Sequence, residues 1–343
     1  MHAPLNAWYV AGTPDEIASG PLGRTICGQA ICFYRDAEGL LRAVEDFCPH
    51  RGAPLSLGTV QDGVLTCGYH GLQMGCDGRT VAMPGQRVRS FPVNRMYPAH
   101  DRYGYLWVWP GDPAKAAQVP VPRPAWADES GWSFGGGMFR IECDYRLLID
   151  NLMDLTHETY VHKNSIGQKE IDEAPPRTQF TEDRVVTERQ MTDLIAPPFW
   201  QAAMASNGLD PQARVDRWQV CRFVAPSNVM IDVGVALAGT GGIEAPAQHK
   251  ASGIVVDFIT PETDTSCWYF WGMARHFQVD DAALTDSIRQ SQQAIFSEDL
   301  EMLERQQRNL LVNPSRKLLK LNIDAGGVHA RRIIDGLCQA DSA

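Results

Sequence analysis

The sequence predicts an α+β protein in two parts: an N-terminal all-β domain over residues 1–112, then a domain of helix plus antiparallel sheet over residues 113–343. Three observations predict it. Short β-prone runs recur at even spacing through the first hundred residues, longer ones lie between Val185 and Met273, and helix formers with a charged outer face run from Asp280 to Leu311. A chain of 343 residues with 44% hydrophobic and 21% charged residues is globular and long enough for two cores.

In the first part the runs are Arg24–Cys27, Ile31–Tyr34, Leu41–Glu45, Val64–Cys67 and Leu106–Trp109. Asp36-Ala-Glu-Gly39, Asp62-Gly63 and Asp77-Gly78 are hairpin turn signals. Pro110, Pro113, Pro120, Pro122 and Pro124 continue neither helix nor central strand and mark a linker. From Cys143 to His162 the pattern is helical beyond Asp150, and Ser165–Pro176 reads as loop. The runs Val185–Met191, Trp218–Val224, Val229–Val235, Gly253–Thr260 and Ser266–Met273 follow as strands. The final helix has acid-before-base pairs Glu301/Arg305 and Glu304/Arg308 on its wet side.

Charge and hydropathy exclude several classes. With 31 Lys+Arg against 41 Asp+Glu, the net charge is -10, which argues against nucleic acid or an anionic membrane as partner. The first residues lack a signal-peptide pattern, no apolar run is long enough to span a bilayer, and mean hydropathy is -0.25. The expectation is a soluble cytoplasmic protein. Nine cysteines are an odd number for a disulfide framework. Cys27, Cys32, Cys143, Cys221, Cys267 and Cys338 read as small buried hydrophobes.

Two cysteines belong to a pattern. Cys48-Pro-His50 is followed after sixteen residues by Cys67-Gly-Tyr-His70, so each half brings one thiolate and one imidazole on a tight loop. A Rieske [2Fe-2S] centre holds one iron by two cysteines and the other by two histidines, which this division suits. Zinc fingers usually pair like ligands, but a Cys2His2 zinc site in a binding protein would use the same four residues. Further on, His157 and His162 lie five apart beside Asn151 and Asp154. That spacing separates them by roughly 140° on a regular helix, so a shared metal requires a π-bulge or a helix end between them. Two histidines and a carboxylate are the ligand set of nonheme Fe(II). Asp299 has Ile295, Phe296, Met302 and Leu303 at helical offsets and falls in the apolar stripe; Glu301 faces water and Glu298 is intermediate. Asp299 is therefore the third ligand, against the alternative of a buried ion pair with an arginine.

The segments EDFCPHRGAPLSLG, CGYHGL, DNLMDLTHETYVH, IGQKEIDEAPP, IVVDFITPET and FSEDLEMLERQQ resemble the oxygenase components of Rieske nonheme iron aromatic oxygenases, in the vanillate O-demethylase branch. The resemblance runs from Asn6 to about Leu337, with no departure at a ligand position. It implies a homotrimer in which Asp154 links the cluster ligand His70 to the iron ligand His157 across a subunit interface, with Asn151 near the iron. It also implies a separate flavin and iron–sulfur reductase that supplies electrons from NAD(P)H. The implied reaction uses O2 to demethylate an aromatic methoxy acid, vanillate, to protocatechuate and formaldehyde. Another methoxyarene, or hydroxylation of an aromatic ring, would use the same ligands. An electron carrier without catalysis would explain only the first constellation. For the substrate, alternation places Trp218, Val220 and Arg222 on one strand face, with Arg222 as a carboxylate receptor and Asp232 and Asp257 as phenol or arginine partners. An internal ion pair explains the same residues. Phe199 and Trp200 suit an aromatic wall, a lid or core packing.

Overall fold

The computed structural model describes residues 2–124, 126–127 and 130–342. They form two compact units, one of residues 2–124, 260–264 and 340–342, the other of the remainder. Residues 113–124, assigned from sequence to the second part, sit with the first unit. Pro113 there opens a four-residue helix, α1 (Pro113–Ala116), where its missing N–H costs nothing, and Asp112 caps it.

In the first unit, β2 (Leu22–Ile26), β3 (Gln29–Arg35), β4 (Leu41–Glu45) and β9 (Met96–Tyr97) form one antiparallel sheet. A second contains β5 (Thr59–Gln61), β6 (Val64–Thr66), β7 (Gln73–Met74) and β8 (Thr80–Ala82), and a third β1 (Tyr9–Gly12), β11 (Tyr105–Val108) and β10 (Ala99–Arg102). The turn at Asp36 joins β3 to β4, its carboxylate accepting from the N–H groups of Glu38 and Leu40. Tyr34, Val44, Leu55, Leu65, Leu72 and Met74 form a buried cluster that also contains Cys48 and Cys67. The two thiols are thus anchored in the core, while the loops that carry them reach the surface.

The second unit is built on a seven-stranded sheet in the order β12-β18-β17-β16-β15-β14-β13. Its strands are β12 (Ser133–Ile141), β13 (Arg177–Phe180), β14 (Val185–Ile195), β15 (Arg214–Val224), β16 (Asn228–Leu237), β17 (Lys250–Thr263, of which residues 260–263 count with the first unit) and β18 (Ser266–Arg275). Helix α2 (Tyr145–Met153) starts at Asp144, whose side chain accepts from Arg146 N–H, so the helix lies largely before Asp150 rather than beyond it. Two single turns, α3 (Glu158–Val161) and α4 (Glu170–Glu173), follow, the latter inside the segment read as loop. Helices α5 (Pro198–Ser206) and α7 (Ala325–Ser342) had no strong sequence signal. The 31-residue α6 (Ala282–Val312) buries Ile288, Gln292, Ile295, Phe296, Asp299, Leu303 and Gln307, one face at three- and four-residue spacing. Met302 lies outside that stripe and is exposed. Phe296 packs on Tyr269 and Trp271 of β18, which seats the helix on the sheet.

One conformational requirement is testable. Gly52 has φ +70°, and a Cβ there would lie 2.7 Å from the Phe47 ring. Gly52→Ala is expected to destabilise the first unit by about 1–2 kcal/mol from the left-handed backbone alone. Thermal loss of the visible absorbance of the cluster checks it; an unchanged midpoint contradicts it.

Candidate metal centres and active site

The two Cys/His loops of the first unit are closed by the same pair of backbone bonds. Cys48 N–H donates to Ala53 C=O and Gly52 N–H returns to Cys48 C=O, both at 2.8 Å; Cys67 N–H donates to Leu72 C=O at 2.8 Å and Gly71 N–H to Cys67 C=O at 3.0 Å. Gly52 and Gly71, at φ +70° and +72°, make both turns possible. The loops bring His50 and His70 to a ring separation of 4.6 Å. Both cysteines are buried and both histidines exposed. Burial raises the Cys48 thiol pKa and the adjacent Cys67 thiol adds to this, while the backbone N–H groups of His50 and Arg51 act against it. Amides directed at a buried sulfur favour thiolate, the form that ligates iron. Burial, His50 and Arg51 all lower the His70 pKa, favouring the neutral imidazole a metal needs. These four residues fit a [2Fe-2S] cluster.

In the second unit the helix stops because Asp154 competes with it. Its Oδ1 accepts from the N–H of Thr156 at 2.7 Å and from its hydroxyl at 2.6 Å, an Asx-type turn that ends α2. A single turn then follows, with His157 at its start and His162 at its end. His162, at φ -101° and ψ 27°, has left helical geometry, so its ring swings back to 5.1 Å from that of His157. The helix therefore breaks before the first histidine and ends at the second, rather than between them.

His157, His162 and Asp299 offer ligand atoms within 4.8 Å of one another. Asp299 Oδ1 lies 3.7 Å from Nε2 of His157 and its Oδ2 3.3 Å from Nε2 of His162. Each imidazole has its other nitrogen engaged: Nδ1 of His157 donates to the Asp154 carbonyl and Nδ1 of His162 to Glu298 Oε2, both at 2.6 Å. These bonds fix the tautomers and turn both Nε2 atoms towards Asp299. Glu298, intermediate by sequence, is thus the hydrogen-bond partner of His162. Asn151 donates to Asp299 Oδ1 at 3.1 Å, and its own Oδ1 is buried without a partner among the described residues. Burial lowers the His162 pKa, but Asp299 and Glu298 outweigh this and raise it to about 9. The pocket favours a positive charge, and two neutral imidazoles with one carboxylate are the donors for Fe(II) with open positions.

The ligand segment is pinned to the sheet. Arg217 bonds the Ile166 carbonyl at 3.0 Å, Gln168 Oε1 at 2.8 Å and Glu158 Oε2 at 3.1 Å. Arg189 holds the carbonyls of Leu155 and Ala174, each at 2.7 Å. The Glu158–Arg217 pair is almost wholly buried, so loss of one partner costs about 3–5 kcal/mol. Neither residue was singled out by sequence; a glutamate following His157 and an arginine in a β-prone run were the available signals.

A largely apolar cavity lies over the three ligands, lined by Ile231, Val233, Val255 and Met273 from the sheet and by Phe199 and Trp200 from α5. Trp218, Val220 and Arg222 do share a face, but it is the opposite one. Trp218 and Val220 pack under Ile243 and Ala245, the Trp218 indole donates to Asp232 at 2.9 Å, and Arg222 is exposed. The alternate residues of β15, Arg217 and Gln219, line the cavity instead, since one residue of phase exchanges the faces. Asp257 is on the cavity side of the sheet but fully buried away from the lining, where it accepts from the Tyr269 hydroxyl at 2.6 Å. Burial raises its pKa to about 7, partly opposed by that bond.

Comparison with known proteins accounts for both centres. The family model for the vanillate O-demethylase oxygenase C-terminal domain matches residues 141–340, and that for the Rieske [2Fe-2S] domain matches residues 7–92. The chain is 63% identical over 338 residues to the vanillate O-demethylase oxygenase subunit of Pseudomonas sp. (strain HR199 / DSM 7063), covering 98% of this chain and 96% of the relative. Dicamba monooxygenase bound to 3,6-dichlorosalicylic acid superposes with a TM-score of 0.88 at 32% identity over 99% of each chain. The same enzyme with non-heme iron and dicamba gives 0.79 at 30% identity over 98% of each. With a [2Fe-2S] domain ahead of a His-His-Asp centre, and these matches along nearly its whole length, the chain belongs to the vanillate O-demethylase oxygenase family of Rieske nonheme iron oxygenases.

Proposed function

We propose that this chain demethylates vanillate to protocatechuate and formaldehyde with O2, drawing electrons from NAD(P)H through a separate flavin and iron–sulfur reductase. The observation that carries this reading is 63% identity over 98% of the chain to a vanillate O-demethylase oxygenase subunit. Cys48 and Cys67 would hold one cluster iron and His50 and His70 the other; His157, His162 and Asp299 would hold mononuclear Fe(II). Iron so held would supply, with O2, two electrons and two protons, the oxidising power to hydroxylate the methoxy carbon, the second oxygen atom leaving as water. The protein's own groups supply position. Glu298 and the Asp154 carbonyl hold the imidazoles, Asn151 orients Asp299, and the cavity wall of Ile231, Val233, Val255 and Met273 excludes water from the methyl group. The product is a hemiacetal, which collapses as its hydroxyl proton moves to the aryl oxygen and the bond from that oxygen to the carbon breaks, giving the phenol and formaldehyde without further oxidant.

The proposed assembly is a cytoplasmic homotrimer in which Asp154 of one subunit meets His70 of the next. Thr156 supports it by occupying Oδ1 of Asp154 and leaving Oδ2 for a second donor. His157 would join this link through the Asp154 carbonyl, which accepts from its Nδ1.

With reductase and NAD(P)H, vanillate is expected to give stoichiometric protocatechuate and formaldehyde, with syringate and anisate as comparison substrates. A ring-hydroxylated product without formaldehyde contradicts the reading. The two centres should separate: Cys48→Ala or His50→Ala should abolish the cluster absorbance and its reduced EPR signal. His162→Ala or Asp299→Ala should keep both and lose mononuclear iron and turnover. Glu298→Gln is expected to weaken iron binding by roughly 10–100-fold, since it alters the partner of a ligand. Iron-to-protein ratios measure all of these, and full mononuclear iron in Asp299→Ala moves the third ligand elsewhere.

Asp154→Asn distinguishes bridge from scaffold. The amide oxygen can keep the Thr156 bonds, which turns the NH2 group to the outer position and sets donor against donor there. The variant should retain both metals and the trimer while single-turnover reoxidation of the cluster is nearly lost. Reoxidation within a factor of about three of wild type would make Asp154 scaffold only.

A further inference from the structure

Among the polar side chains that line the cavity, Gln219 has its chemistry fixed by its neighbours. It is 4% exposed, and its amide NH2 donates to Glu158 Oε1. Glu158, also 4% exposed, carries the ion pair with Arg217 at 3.1 Å and offers acceptors only. The amide cannot turn over, because that would set its oxygen against a carboxylate oxygen. Gln219 Oε1 is therefore a fixed acceptor, and it is buried with no hydrogen-bond partner among the described residues.

Of the other unpartnered atoms of the lining, only Asn151 Oδ1 is likewise an acceptor held by a carboxylate, and it lies at the His-His-Asp centre. Arg217 Nε is a donor, and among the described residues no hydrogen bond holds the amide of Gln292 one way round. Oε1 of Gln219 calls for a donor from the ligand. A carboxylate or phenolate would place oxygen against oxygen, whereas a neutral phenol presents a proton.

We propose that Gln219 accepts a hydrogen bond from the substrate's phenolic hydroxyl, so that the cavity selects neutral phenolic methoxyarenes over analogues without the hydroxyl. This rests on the O-demethylase reading and specifies its substrate class. Discrimination by an unmatched buried polar group can exceed that by size, because the analogue leaves the group unpaired.

The test is anaerobic calorimetry of holoenzyme with vanillate and 3-methoxybenzoate. Wild type is expected to bind vanillate roughly ten-fold or more tighter, a difference of one well-made hydrogen bond. In Gln219→Leu vanillate should weaken to the level of 3-methoxybenzoate, which itself changes less than about three-fold. A retained preference in the variant, or none in wild type, overturns the proposal. A second measurement needs only wild type: vanillate affinity should fall as pH passes the pKa of its own phenol, with 3-methoxybenzoate flat in parallel, and equal profiles overturn the proposal. Formaldehyde release is read separately. Selective binding without demethylation would fail the reaction and spare Gln219, and demethylation without selectivity would do the reverse.

Discussion

The convergence of Asp299 with the Nε2 atoms of His157 and His162, in an interior that offers little solvation, is the constraint on which the catalytic unit depends. A carboxylate on the apolar stripe of a long helix is unfavourable unless positive charge meets it. Asp299 is 5% exposed and His162 2%. The effect of the two carboxylates on His162, raised to about 9 against the pull of burial, is the electrostatic measure of what the site wants. A metal cation answers that demand, and the second nitrogen of each imidazole is already committed to a partner.

Much of the surrounding structure serves to hold that geometry. The ligand histidines occupy the two ends of one helical turn, a piece too short to be stable alone. Its stability comes from the sheet, through Arg189 and Arg217, which bond backbone carbonyls on either side of the turn. The Glu158–Arg217 pair lies between the turn and β15, and the same pair fixes the orientation of Gln219. Ligand placement and cavity chemistry thus share one buried polar network, in which polar groups are strengthened by low dielectric and costly to disrupt.

The two candidate metal centres are legible in the sequence because their chemistry is local. The spacing of Cys48, His50, Cys67 and His70 needs only two loops, and the burial of Asp299 follows from its helical offsets. The strand Leu41–Glu45 and the long helix were legible for the same reason, since periodicity and turn residues act within a few positions. What was not legible depends on a partner far along the chain. Strand β12 carries three successive glycines with little β propensity, and it forms because β18 supplies a nine-residue antiparallel register from Ser133 to Ile141. Alternation along β15 is visible in the sequence, but which face borders the cavity is set by elements far along the chain, so Arg222 stands out there while Arg217 and Gln219 do not. The helix face of Glu298 leaves it intermediate in the sequence, whereas its contact comes from His162, 136 residues away.

Anomalous diffraction at the iron edge from crystals of the aerobically purified holoenzyme addresses the central claim most directly. Two kinds of peak are expected: a two-iron feature bounded by Cys48, His50, Cys67 and His70, and a single iron bound by Nε2 of His157, Nε2 of His162 and the carboxylate of Asp299. Nδ1 of His162 should remain on Glu298. A single peak bound through Nδ1 of His162, or by Glu298 in place of Asp299, or an anomalous signal at the zinc edge alone, would contradict it.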